Sequence, residues 1–493
     1  MIRLFFIKTI CIILIFSTFL VASQHDQTDD ATVASTFQTP LRPVVIIEVE
    51  PTPGQQLCQR QAVTLTRENF ISVLEPKVVD SWGINWAVFQ NESLPFDAPQ
   101  KRVVLKKIID KLNAIDRNTI EKRALYGDVA GFKSQMEAIH SMRLDNLALA
   151  YFGKFFPTAV LSPEMKLGGV QLGERIIVAQ AGQPVLTYHV KTHSAGRLSS
   201  NSTAAKLVNP QELMAYRALQ YLGVGCQSHF FERSPEDVYI ATLDAGVGGS
   251  FCLFEVMSGH LGRGGDESVG RRFAGSLLDI SQNPSQLNQD AIEATIVGDS
   301  AAQNFIYQMV SLDIITRIFR LHDLLNNPGN FGFFESTTQS PAVRVIDFRI
   351  ADDPSLKINY DHWGGFLEGN GLYQYAGSHR TMRYVIHDRP RQLRVEVARN
   401  IMGRGLMESL RRAVEQAHQD VLTYLSQDVF VPCHRDLMPK LRDYNEATLH
   451  NIDFFWGKLQ EWTPEADAAR EAEHEKYRRG NWSLNSSVTT PPK

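Results

Sequence analysis

The chain has 493 residues, of which 43% are hydrophobic and 21% charged, and its formal net charge is −4. These are globular values that exclude a fibrous or low-complexity chain, and the length suits one large domain with extensions. A charge so near zero provides neither a basic field for nucleic acid nor an acidic solvating tail.

The N-terminus reads as an export address. Arg3 and Lys8 lead into the apolar run Ile10–Val21, and small Ala22 and Ser23 precede polar Gln24. A charged start, a short apolar core and a small-residue end are the order of a cleaved signal peptide, here residues 1–23. The alternative is a retained signal-anchor, since Phe5–Val21 approaches the lower length for spanning; no later segment is apolar enough to cross a bilayer. Cleavage leaves Cys58, Cys226, Cys252 and Cys433, which permit disulfides in three pairings or a set of buried thiols. Asn-x-Ser/Thr sequons stand at Asn91, Asn201, Asn481 and Asn485. These features fit a glycoprotein that is secreted or resides in the secretory-pathway lumen.

Residues 24–59 are polar, then Pro-rich (Pro40, Pro43, Pro51, Pro53), the composition of a flexible stalk. Over 60–165 the pattern is helical: Leu105, Ile108, Ile109, Leu112 and Ile115 repeat at three and four, which predicts a helical extension. From 166 to 260 the period changes. Ile176–Val178 and Val185–Val190 read as strands around the turn Ala181-Gly-Gln-Pro184. A helix is predicted over Pro210–Leu222, then strands at Cys226–Phe231, Val238–Leu243 and Ser250–Val256. Cys226 and Cys252 thus fall on strands able to lie side by side, a candidate disulfide. Residues 261–460 read as helical apart from a strand pair within 331–348, and 461–493 as a charged helix running into a Ser/Thr/Pro tail. The order is a small sheet with one helix inserted, then a larger helical region: an α+β chain.

The residues that carry chemistry follow the same order. A helix apolar nearly all round, Phe305–Leu321, feeds the polar loop Arg320-Leu-His-Asp323-Leu-Leu-Asn-Asn-Pro-Gly-Asn330. The strand Val343-Arg-Val-Ile-Asp347 then ends in an acid, so a hairpin gathers Asp323, Asn330 and Asp347. A carboxylate to orient a hydroxyl, with an Asn and an Asp to hold Mg²⁺ on phosphates, is the set phosphoryl transfer needs. Upstream, Lys191 on a predicted strand suits phosphate contact, and Glu212 on the following helix can hold it. Plainer roles exist for each: Glu212 as capping-box partner of Asn209 with Pro210 opening the helix, Lys191 as a solvated strand lysine, His189 and His193 as half a metal site, His322-Asp323 as the metal dyad of a helical phosphohydrolase, Asp347 as a turn residue. His434-Arg-Asp436 also looks like a catalytic loop, but no Asn follows it closely and its surroundings have helical periodicity.

Lys191, Glu212, Arg320-Leu-His-Asp323, Asn330 and Ile346-Asp347-Phe348 occur in the order of the protein-kinase-like superfamily, and the segment 166–460 resembles it. The looser loop is similar to atypical members such as type II phosphatidylinositol 4-kinases, actin-fragmin kinase and secretory-pathway kinases. The resemblance implies a two-lobed fold with a small β-rich lobe over 166–260 and a larger helical lobe over 261–460. It implies ATP with Mg²⁺ or Mn²⁺ as cofactors and a protein or lipid hydroxyl as acceptor. Lys191 would position phosphates, Glu212 would orient Lys191, Asp323 would act on the acceptor, and Asn330 and Asp347 would bind metal. Phe251-Cys-Leu-Phe-Glu-Val-Met resembles the strand and hinge beside the base, which puts Glu255 and Met257 at the nucleotide. Two segments qualify as the glycine loop, Gly168-Gly-Val-Gln-Leu-Gly173 and Ala179-Gln-Ala-Gly182; the second is favoured because it lies between the strands leading to Lys191. Departures from the pattern are the longer Asp323–Asn330 gap, Arg349 where a glycine follows Asp-Phe, and His189 in place of a small residue. These leave two alternatives open beside a kinase: a pseudokinase that binds a partner or nucleotide without catalysis, and transfer of AMP on the same fold.

Overall fold

A computed structural model describes residues 65–94, 96, 98–115, 120–165, 173–194, 206–261, 267–277, 279, 288–324, 327–336, 339–350, 356–369 and 389–472. The expected signal peptide and stalk, Cys58, Gly168, Gly169 and the sequons at Asn201, Asn481 and Asn485 lie outside them, while Asn91 is exposed. No helix among the described residues is long and apolar enough to cross a membrane.

The first part is helical, as its apolar spacing requires. Short helices α1 (Arg67–Ile71), α2 (Pro76–Ser81) and α3 (Ala87–Gln90) precede α4 (Pro99–Asn113) and the 36-residue α5 (Ile120–Phe155). Leu105, Ile108 and Leu112 of α4 meet Val129, Phe132 and Met136 of α5 around Phe70, a small core of its own. Farther along α5, Leu144, Ala148 and Phe152 instead cover one face of a sheet.

That sheet is antiparallel and five-stranded, in the order β1-β2-β3-β5-β4. Its strands are β1 (Val160–Met165), β2 (Gly173–Ala179), β3 (Leu186–Thr192), β4 (Ser228–Ser234) and β5 (Asp237–Leu243). The sheet therefore begins at Val160, inside the stretch expected to be helical. Side chains alternate along β3: Tyr188 and Val190 join the core under α5, which leaves His189 and Lys191 on the opposite face. Helix α6 (Pro210–Tyr221) is inserted between β3 and β4. Asn209 caps it and Pro210 opens it, as its sequence predicts.

Past the sheet the chain is mainly helical. Strand β6 (Ser250–Leu253) is shorter than the expected Ser250–Val256, because helix α7 (Phe254–Leu261) starts inside that segment. Phe254 and Met257, three residues apart, both become fully buried that way, and Phe254 stacks on Phe331 at 4.7 Å. Helices α8 (Glu267–Ala274), α9 (Gln289–Gly298) and α10 (Ser300–Ile318) follow. Then come the short strand β7 (Leu321–His322), the hairpin β8 (Phe331–Ser336) and β9 (Gln339–Val345), and β10 (Arg349–Ile350). Strand β8 pairs with both β6 and β9, and β7 pairs with β10. Helices α11 (Tyr360–Leu367), α12 (Arg391–Ile401), α13 (Met407–Leu425) and α14 (His434–Glu461) complete the large core around α10. His434-Arg-Asp436 is the opening turn of α14, so that segment is a helix and no catalytic loop.

The expected Cys226–Cys252 disulfide is not formed: both are free thiols, as is Cys433. The strand that follows Cys226 and the strand that holds Cys252 belong to different sheets. Cys226 precedes β4 and directs its thiol to the Val345 carbonyl, while Cys252 lies in β6. Burial pushes the Cys226 thiol up to about 11 and raises Cys252 as well, so both stay protonated and slow to oxidise.

Candidate active site

The face of the five-stranded sheet opposite α5, partly covered by α6, roofs a cavity of about 820 Å³, ample for a nucleotide. His189 and Lys191 of β3 and Thr242 and Leu243 of β5 line the roof, with Asp244 just beyond. Below them lie β6, Glu255 at the start of α7, the loop Asn327–Asn330 and Asp347.

The floor is fixed by the large core. Helix α10 is buried along much of its length and capped by Asp299, which accepts from the Ala301 and Ala302 amides. At its other end, Tyr444 of α14 donates to the Phe319 carbonyl at 2.7 Å, and Asn451 donates to Ile318 at 2.9 Å and Leu356 at 3.0 Å. Arg320 and Asp323 then adopt left-handed backbone, φ 54° and 64°. For non-glycine residues this costs about 1–3 kcal/mol each and persists only where the surroundings over-determine it, a condition met at functional loops.

The backbones of Asn330 and Asp347 meet at the base of the β8–β9 hairpin. The Asn330 carbonyl accepts from the backbone amides of Ile346 (2.9 Å) and Asp347 (3.2 Å), because β8 and β9 pair from Phe331 and Val345 onward. The Asn330 side chain donates to the Asp323 carbonyl at 3.2 Å and accepts from Asn327 at 3.1 Å. Both residues line the cavity, and an amide oxygen and a carboxylate are hard oxygen donors of the kind Mg²⁺ takes, with phosphates and water for the remaining positions, so this pair fits such an ion.

Lys191 meets Asp347 across the cavity. Its ammonium donates to Asp347 Oδ1, and the Lys191 side chain is only 10% exposed. Burial alone would lower the Lys191 pKa; the attraction of Asp347, then of Tyr216 and Glu212, outweighs it and raises the pKa, so the ammonium is charged. Glu212 departs from its expected role. It is buried, yet its Oε2 accepts from the Ser194 amide (2.9 Å) and hydroxyl (2.6 Å), and it makes no hydrogen bond with Lys191. Neither does it close a capping box on Asn209.

Asp323 is held by the residue that departs from the Asp-Phe-Gly pattern: Arg349 Nε stands 2.8 Å from Asp323 Oδ2. The β7–β10 pairing sets Arg349 opposite His322 and makes that contact. His189, which stands in place of a small residue, is drawn to Asp244 at 2.9 Å, and this hydrogen bond, with the Gly246 amide, depresses the Asp244 pKa. His193 is fully buried and bonds the Glu236 carbonyl, so it forms no metal pair with His189.

Two residues expected at a nucleotide lie elsewhere. Met257 is in the core, not the cavity, because α7 turns it inward, whereas Glu255 does line the cavity. Gly182 closes the β2–β3 turn at the far end of the hairpin from Lys191, whose cross-strand partner is Gly173. From Lys191 to Leu186 alone is roughly 17 Å at strand rise, so Gly173, and not Gly182, stands beside Lys191; the rest of the other glycine segment lies outside the described residues. The sequence reading also passed over Asp244, Asn327, Ser194 and Tyr216. Tyr216 had a visible signal, since it lies one helical turn beyond Glu212 and shares its face.

No family model matches the chain, and no curated protein matches it. Among solved structures it is matched with the crystal structure of a Helicobacter pylori proinflammatory kinase, CtkA, at 11% identity and a TM-score of 0.29, over 62% of this chain and 98% of that one. A likeness of that size carries no argument, and what the site can do rests on its own geometry.

Proposed function

We propose that the chain is an ATP-dependent phosphotransferase of the secretory pathway, with a two-lobed protein-kinase-like fold and a protein or lipid hydroxyl as acceptor. The observation that carries this is the Lys191–Asp347 pair: an ammonium from the sheet and a carboxylate beside Asn330 facing each other across a nucleotide-sized cavity. Lys191 neutralises the phosphates and holds them in line. Asn330 and Asp347 would hold Mg²⁺ or Mn²⁺, which when bound offsets charge on the β- and γ-phosphates. Asp323, on its strained loop, orients the acceptor hydroxyl and takes up its proton. The linker after β5, where Asp244 lies, borders the cavity where the base would fit. Export of the protein is supported by the N-terminal pattern and the sequons.

The test is turnover of ATP by the purified chain. Asp347→Ala should reduce it about a thousandfold, the several kcal/mol that a catalytic metal contributes; equal turnover by the two proteins removes the assignment. The Arg349–Asp323 ion pair favours a second reading, a pseudokinase, because it engages the carboxylate that should meet the acceptor. Thermal stabilisation by ATP without turnover selects that reading. Transfer of AMP is separated from transfer of phosphate by the mass added to the acceptor.

A further inference from the structure

The helix glutamate is spent on Ser194, and another residue of α6 reaches the metal-side carboxylate. Tyr216 is 4% exposed, and its hydroxyl stands 3.3 Å from Asp347 Oδ1. Its ring lies under the Lys191 ammonium, 5.2 Å from ring centre to Nζ, and packs on Phe348 at 4.3 Å. One aromatic side chain thus touches the lysine, the aspartate and the next residue in the chain. Asp347 Oδ1 collects donors from Lys191, Tyr216 and, at 2.9 Å, the Phe348 amide. Three donors on one oxygen fix the rotation of the carboxylate about its last bond. A rigid, buried phenol does this at little entropic cost, because its ring is already packed.

We infer that Tyr216 is a positioning residue for the metal-binding carboxylate: its hydroxyl orients Asp347 for the divalent cation and its ring seats Lys191, a role the helix glutamate does not fill in this chain. The inference rests on the phosphotransferase reading of the same site. Partners that orient a metal ligand in this way typically change metal affinity 10–100-fold. Glu212, although one turn away and buried, is tied through Ser194 to the segment that follows β3 and contributes only its charge at a distance.

The experiment compares wild type, Tyr216→Phe and Glu212→Gln in direct Mn²⁺ titrations followed by electron paramagnetic resonance, and in titrations with ATP in the absence of metal. Tyr216→Phe keeps the ring under Lys191 and against Phe348 and removes only the hydroxyl. It should weaken Mn²⁺ binding about tenfold while leaving metal-free ATP affinity and the melting temperature near wild type. Glu212→Gln should weaken Mn²⁺ binding less than Tyr216→Phe does. A purely structural role for Tyr216 would shift the melting temperature and both affinities together, and that result overturns the inference. Unchanged Mn²⁺ affinity in Tyr216→Phe, or a larger loss in Glu212→Gln, overturns it too while leaving the phosphotransferase reading standing. A wild-type protein that binds neither Mn²⁺ nor ATP removes that reading and the inference with it.

Discussion

Charged groups in and near the cavity each have more than one possible partner, and the fold decides which one each takes. Lys191 takes Asp347, Glu212 takes Ser194 and Asp323 takes Arg349. Away from the cavity a buried histidine makes pH dependence accessible. His229 lies among the rings of Tyr151, Phe152, Phe155 and Tyr188, and burial, helped by Arg217, lowers its pKa from 6.5 to about 4. Neutral His229 is thus favoured in the fold, while the unfolded chain takes up a proton near its ordinary value. Stability should be complete above about pH 6.5 and decline as pH falls towards 4, by about 3 kcal/mol from this group. Urea unfolding of His229→Gln across that range should show a shallower decline than wild type; parallel curves would assign the acid sensitivity to other groups.

Local elements place the residues because strands approach without room to spare. In β8, a Cβ on Gly332 would fall 2.3 Å from the Cys252 carbonyl oxygen of β6 and 2.6 Å from the Phe251 ring. Gly332→Ala must push β6 away from β8 and with it move Asn330, two residues back. Crowding of this kind costs about 1–3 kcal/mol, so denaturant unfolding should report a loss near 2 kcal/mol together with weaker nucleotide binding. A variant as stable as wild type would mean that β6 shifts freely. Strand periodicity located β2, β3, β5, β8 and β9 because alternation is a local property. It misassigned Val160–Met165 and the residues after Leu253. Val160–Met165 is a strand through its pairing with β2, and α7 is a helix because Phe331 and the large core claim Phe254 and Met257.

At the scale of the whole molecule, apolar residues divide into a large core around α10, a core between α5 and the five-stranded sheet, and a small core confined to α1–α4 and the first half of α5. A small core buries less surface per residue and opens at lower free energy. Hydrogen exchange should therefore label α1–α4 well before α10, and simultaneous exchange would mean that the cores unfold as one. The sequence by itself determined the order of the parts: a sheet with one inserted helix, a buried helix feeding a polar loop, and a hairpin that sets Asn330 beside Asp347. Those follow from periodicity, capping and turn chemistry within a few residues. Only the tertiary structure decided that Lys191 reaches an acid 156 residues away, that Glu212 is spent on Ser194, that Arg349 holds Asp323, and that Tyr216 joins the site. Several oppositely charged groups compete for each ion, and the winner is fixed by distances in space that no local pattern encodes.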